Sequence, residues 1–187
     1  HSGDTPVVET GLASPCVFPM RKELGREMGY KIKAHKTLYK DVMFRSRLEA
    51  RWAAFFDLAG WRWEYEPIDL EGWSPDFRID VPCGHSECGG GHSVFVEVKP
   101  YYDADEFKTH PVTYYRYGEE DEKKDLPLDS LPVDAVAGFG ANPDVAFWDM
   151  EHGAGSGIYT PKDWTTDVDL KWKKAGNIVQ YQYKKRK

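Results

Sequence analysis

The chain has 187 residues, which is enough for one ordinary domain with its own core and too short for two comfortable ones. With 41% hydrophobic and 14% aromatic residues it does not have the composition of a disordered protein, and no stretch approaches the roughly 18 apolar residues of a membrane helix. A net charge of −6, from 31 acidic against 25 basic residues, argues against a protein that coats nucleic acid indiscriminately.

The basic residues are clustered nonetheless. Arg45, Arg47 and Arg51 gather near one helix, and Lys171, Lys173, Lys174 and residues 184–187 crowd the C-terminus, while acids dominate 103–134. Either a local phosphate-binding face or a solvated charged surface accounts for this pattern. Three cysteines are an odd number, and two of them sit with histidines in a short loop. That favours metal ligation over a disulfide framework, and a reducing, cytoplasmic setting.

In chain order, residues 4–18 are rich in Pro, Gly, Thr and Val without periodicity and read as an arm, with helical character expected only around 21–28. The arm is taken to run over 1–40 and the domain over 41–187. Residues 44–59, FRSRLEARWAAFFDLA, form the strongest predicted helix: Leu48, Trp52, Phe55, Phe56 and Ala59 make one apolar stripe, and Gly60 stands at the C-terminal cap. Glu49 borders that stripe. A carboxylate there either pairs with a base such as Arg45 or points at a metal.

Residues 61–66 alternate as a strand, and 76–81 do so again with Phe77, Ile79 and Val81 on one face. Residues 93–99 are a third strand, with Val94, Val96 and Val98 facing one way and Phe95, Glu97 and Lys99 the other. A helix is expected near 104–110 and strands over 135–140 and 144–150, followed by HGAGSG as a loop. Residues 161–175 read as a helix capped by Gly176-Asn177, and 178–183 as a closing strand.

The chemistry concentrates between Pro75 and Pro100. Period-two geometry puts Glu97 and Lys99 on one side of their strand, where charges need water, another charge or a metal. If the 76–81 and 93–99 strands pair, Asp76 reaches the same spot. Two carboxylates plus a backbone carbonyl such as that of Val98 make a hard oxygen site suited to Mg²⁺ or Mn²⁺, the equipment of a metal-assisted phosphodiesterase. Lys99 would orient water or offset charge on the transition state, and Glu49 would add a carboxylate directly or through water.

Between the strands, Cys83, His85, Cys88 and His92 lie within ten residues separated by glycines. Cys₂His₂ is a complete tetrahedral set for a structural Zn²⁺. The single residue between Cys83 and His85 strains that set, so one ligand can come from elsewhere, for example His110; a plain glycine hairpin is the alternative. Further on, Tyr101, Tyr102, Tyr114, Tyr115 and Tyr117 with Lys108 and Arg116 suit either base stacking and phosphate contact or ordinary packing.

Glu49, Pro75-Asp76 and Glu97-Val98-Lys99 resemble the motif of the PD-(D/E)XK nuclease superfamily, and FRSRLEARWAAFF, VFVEVKPY and KKAGNIVQY are similar to stretches of small phage- and bacteria-encoded nucleases of that superfamily. The resemblance implies an α/β fold with a restriction-endonuclease-like αβββαβ core, a mixed sheet flanked by helices, here carrying a Cys/His-rich hairpin loop. It implies Mg²⁺-dependent DNA cleavage, with Asp76 and Glu97 as metal ligands, Lys99 as the catalytic lysine and Glu49 as the helix carboxylate. Arg45, Arg47, Arg51 and Lys108 are the expected contacts to DNA, an endonuclease is favoured, and an oligomer is compatible with an acidic enzyme of this size. The rivals are a non-catalytic, zinc-stabilised module that binds nucleic acid or protein, and a hydrolase of RNA or another phosphoester.

Overall fold

The computed structural model describes residues 34–70, 72–115 and 132–184. The expected arm over 4–18, the helical stretch at 21–28, and Arg116, Tyr117 and residues 185–187 lie outside the described residues.

The architecture is mixed α/β. A hairpin of β1 (Thr37–Tyr39) and β2 (Val42–Phe44) leads into α1 (Arg47–Ala59). Then come β3 (Arg62–Tyr65), β4 (Phe77–Pro82) and β5 (Gly91–Val98), two 3₁₀ turns at Ala104–Thr109 and Pro111–Tyr115, and β6 (Ala135–Phe139). The chain continues through β7 (Ala146–His152), β8 (Gly155–Tyr159), the single turn α2 (Pro161–Trp164) and α3 (Val168–Lys184). Strands β3 to β8 form one sheet in sequence order, with β5 and β6 parallel and every other pair antiparallel. The sheet is thus two antiparallel meanders, β3–β5 and β6–β8, joined along one parallel seam. Among the described residues no helix is long and apolar enough to cross a membrane.

Strand parity divides the core. Phe77, Ile79, Val81, Val94, Val96 and Val98 point to the face covered by α1 and α3, where they meet Trp52, Phe55, Phe56 and Trp172. Phe95, Val136 and Phe147 point to the other face, where Trp73, Phe107 and Val112 cover them. Glu97 shares the parity of Phe95, so it emerges on this second, thinner side.

Helix α1 starts and stops where its sequence dictates. The Ser46 side chain accepts the Glu49 N–H at 3.1 Å, and Gly60, at φ 77°, donates its N–H back to Asp57 and Phe56. The buried Trp52 donates its indole N–H to the Gly140 carbonyl at 3.0 Å and packs 4.7 Å from both Phe139 and Trp172, which locks α1 onto the end of β6 and onto α3. Each such fully buried aromatic contributes about 2–3 kcal/mol.

Five expectations are corrected. Residues 37–44 are a hairpin that packs against α1 and α3, and Phe44 closes β2 instead of opening the helix. The turn uses Lys40 and Asp41, both at positive φ, in place of the Asn-Gly that would have signalled it. HGAGSG is not a loop: His152 pairs with Gly155 across a two-residue turn that Gly153 makes at φ 62°. Helix α3 runs through Gly176 and Asn177, so 178–183 is helical; Gly176 is there because the Arg51 guanidinium lies where a Cβ would come within 3.0–3.2 Å of it. The helix expected over 161–175 is broken at 165–167, with Asp167 at φ 52°, and the one expected near 104–110 is a 3₁₀ turn.

Candidate active site and candidate metal centre

Asp76 stands one residue before β4. The register that pairs Phe77 with Val96 carries it opposite Glu97. Asp76 Oδ2 accepts the Val98 N–H at 2.8 Å, so Val98, expected to offer its carbonyl, is seen holding the carboxylate by its amide. Asp76 Oδ1 faces the Arg45 guanidinium, which also reaches Glu66 at 3.1 Å. Glu97 Oε2 accepts the Trp73 indole N–H at 2.6 Å, while Oε1 faces the Lys99 ammonium and lies 3.5 Å from His110 Nε2. The Val112 N–H donates to His110 Nδ1 at 3.2 Å, which leaves the proton of a neutral ring on the nitrogen nearest Glu97.

Glu49 reaches the same end of the sheet from the first turn of α1. Its Oε2 accepts the Tyr65 hydroxyl at 2.6 Å and the Arg45 backbone N–H at 3.1 Å. Its contact with Arg45 therefore runs through the backbone, leaving that guanidinium for Asp76. Asp76, Glu97 and Glu49 are only 1%, 4% and 7% exposed.

Three near-buried carboxylates in one place are costly unless something cationic meets them. The strain shows at Asp76: burial, then repulsion from Glu97, push its pKa up to about 7, against the smaller pulls of Lys99 and the Val98 N–H. Arg45, with a side chain 55% exposed, is screened by water and offsets less. Burial alone would lower the Lys99 pKa, but Glu97 and Asp76 outweigh it and hold the ammonium charged. Burial lowers that of His110.

Of the four basic residues expected to touch DNA, Arg45 joins the carboxylates. Arg51 stacks on Trp172 at 3.8 Å and donates from Nε and Nη2 to the Trp172 carbonyl at 3.2 and 3.0 Å, a packing role between α1 and α3. Arg47 lines the groove between those helices, and Lys108 pairs with Asp105 at 2.8 Å. Trp73, Tyr65 and His110 are the site residues that periodicity did not single out for this place. Each holds a carboxylate through one polar atom on an otherwise apolar or loop-borne side chain, and nothing in the spacing of the sequence marks that.

A second constellation sits at the other end of β4 and β5. The donor atoms of Cys83, Cys88, His92 and His152 all lie within 4.8 Å of one another and can hold a metal ion; two thiols and two imidazoles are compatible with zinc. His85 is not in this group. Its Nδ1 accepts the Glu87 N–H at 3.4 Å as the cap of the 3₁₀ turn Ser86–Cys88, and His152 from β7 stands where a fourth ligand is needed. His110, the other residue considered for that place, belongs with Glu97 instead. The two-residue turn after His152 was the missing signal.

No protein-family model, curated protein or solved structure matches the chain.

Proposed function

We propose that the chain is a Mg²⁺- or Mn²⁺-dependent deoxyribonuclease built on a restriction-endonuclease-like core. The observation that carries this reading is the convergence of Asp76, Glu97 and Lys99 at one end of the β4–β5 pair, with Glu49 arriving from α1. The order of elements supports it: a helix, a three-stranded antiparallel meander, a crossover and a parallel strand.

The residues fit a hard divalent cation. The donors are carboxylate oxygens of a kind that Mg²⁺ and Mn²⁺ prefer, and they are crowded and buried enough to raise the pKa of Asp76. Asp76 and Glu97 would hold the ion, with the Val98 carbonyl and Glu49 in support. When bound, such an ion polarises a phosphoryl oxygen and acidifies water.

The protein's own groups do the rest. Lys99 stays protonated beside Glu97, so it orients the attacking water and offsets charge that builds on the phosphate; it is not a general base. Trp73 and His110 fix the Glu97 carboxylate from two sides, so its direction is set before substrate arrives. Arg45 is half exposed and anchored on Asp76 by an interaction that a phosphate can replace, which makes it the cation best placed to meet the DNA backbone. DNA in a bacterial or phage-infected cytoplasm is the substrate and setting that go with this reading.

The test is a substrate panel of supercoiled and linear DNA, RNA and a simple phosphodiester, each incubated with Mg²⁺, Mn²⁺ or EDTA. Metal-dependent cleavage of DNA supports the proposal. Cleavage of RNA alone, or retention of DNA without cleavage in every metal, overturns it.

A further inference from the structure

The geometry points to a structural zinc site made by Cys83, Cys88, His92 and His152 that clips the β4–β5 hairpin to the β7–β8 hairpin. This inference stands apart from the nuclease reading and uses none of its residues.

The donor set is complete and closed. Two thiolates and two imidazoles fill a tetrahedral shell, leaving no position for substrate, which is the mark of a structural rather than a catalytic zinc. Bond lengths near 2.0–2.3 Å place tetrahedral donors about 3.3–3.8 Å apart. Cys83 Sγ and His152 Nε2 are already 3.3 Å apart, and the widest pair in the group is within 4.8 Å, so a movement of about 1 Å closes the shell.

The surroundings are those of a ligand cage. Buried polar atoms ordinarily find a hydrogen bond. His92 Nε2 is buried and has no hydrogen-bond partner among the described residues, while its Nδ1 lies 4.0 Å from Asp134 Oδ2. A free lone pair on one ring nitrogen with a carboxylate near the other is the arrangement that supports an imidazole ligand. Both sulfurs are met by backbone amides: the His85 N–H points to Cys83 Sγ at 3.3 Å and the Gly153 N–H to Cys88 Sγ at 3.4 Å. Trp164 stands edge-on against His92 and His152, at 5.4 and 5.1 Å between ring centroids, and holds both rings in place.

What the site joins gives it its role. In the sheet β4 and β7 are three positions apart, about 14 Å at the usual strand spacing. Among the described residues the two meanders pair with each other only along the β5/β6 seam. A metal held by the β4–β5 hairpin and by His152 bridges that seam and ties the meanders together. Gly153 makes the approach feasible: a side chain there would meet the His85 ring at 2.6 Å, on a backbone already at φ 62°.

The test is elemental analysis of the full chain purified without chelator, alongside His152→Ala, Cys88→Ser and His85→Ala. The expected result is about one zinc per chain in the unaltered protein and in His85→Ala, falling at least about tenfold in the other two. No zinc in the unaltered protein, or zinc lost in His85→Ala and kept in His152→Ala, overturns the inference. Should the His152 variant fail to fold, cobalt exchange into the unaltered chain decides: intense visible bands with a thiolate charge-transfer band support a tetrahedral Cys₂His₂ site, and a weak spectrum without charge transfer overturns it.

Discussion

The backbone N–H of Val98 donates to Asp76 Oδ2 at 2.8 Å, so the carboxylate that opens β4 is held by the strand that presents Glu97 and Lys99. An amide in place of that carboxylate keeps the volume and still accepts this hydrogen bond while removing a buried charge. Asp76→Asn should therefore abolish cleavage, by about a thousandfold or more, yet stabilise the metal-free protein at pH 8 by on the order of 1–3 kcal/mol. Urea denaturation in EDTA reads the second effect. A variant less stable than the parent would show that Asp76 is held for structure.

The same group sets a pH dependence. Its folded pKa is raised from 3.8 to about 7, so the folded chain binds the proton more tightly than the unfolded one. Its stabilising contribution is complete below about pH 4 and is lost as pH rises through about 7. The stability gap between the metal-free parent and Asp76→Asn should accordingly widen from pH 5 to pH 8, as denaturation at each pH would show. Protons and the metal compete for this carboxylate, so at subsaturating Mg²⁺ cleavage should decline as pH falls below about 7, and saturating Mg²⁺ should relieve the decline.

Trp73→Phe removes the indole donor from Glu97 Oε2 together with part of the ring that packs on Phe95. A hydrogen bond to a charged group contributes about 1.5–3 kcal/mol, so the aim of Glu97 should loosen and cleavage should fall by about ten- to a hundredfold. If Trp73 works through the carboxylate, the Mg²⁺ concentration for half-maximal rate should rise as well. A change in thermal stability with an unmoved metal dependence would assign Trp73 to packing alone.

On the thin side of the sheet, the Phe107 ring lies where a Cβ on Gly138 would come within 2.5–2.6 Å of it. Gly138→Ala must push that ring off β6 and should cost about 1–3 kcal/mol, measured as a lowered denaturation midpoint. An unchanged midpoint would mean that this layer yields freely.

Much of this was legible in the sequence wherever a period or a cap carries the information. Helix α1 follows from its apolar stripe and Gly60, and β4 and β5 from strict alternation, which also places Glu97 and Lys99 on one side. The failures came where a tertiary contact overrode a local signal or where a tight turn lacked its usual residues. Gly176 reads as a helix stop, but it is the clearance for Arg51 stacked on Trp172. His152 sits in a run rich in glycine and reads as loop, yet a two-residue turn there makes β8 and carries the imidazole to Cys83. The partners of Glu97 and Glu49 arrive from Trp73, His110 and Tyr65, distant in sequence, and no spacing rule links them.

The most direct test of the account is the single-turnover cleavage of plasmid DNA in Mg²⁺ by the full chain and by Glu97→Gln and Lys99→Ala, with circular dichroism to verify folding. Rates that fall by about a thousandfold or more in both folded variants, and vanish in EDTA for the parent, are the predicted result. Cleavage by either folded variant at the parental rate, or by the parent in EDTA, would contradict the assignment of Asp76, Glu97 and Lys99 as one hydrolytic centre.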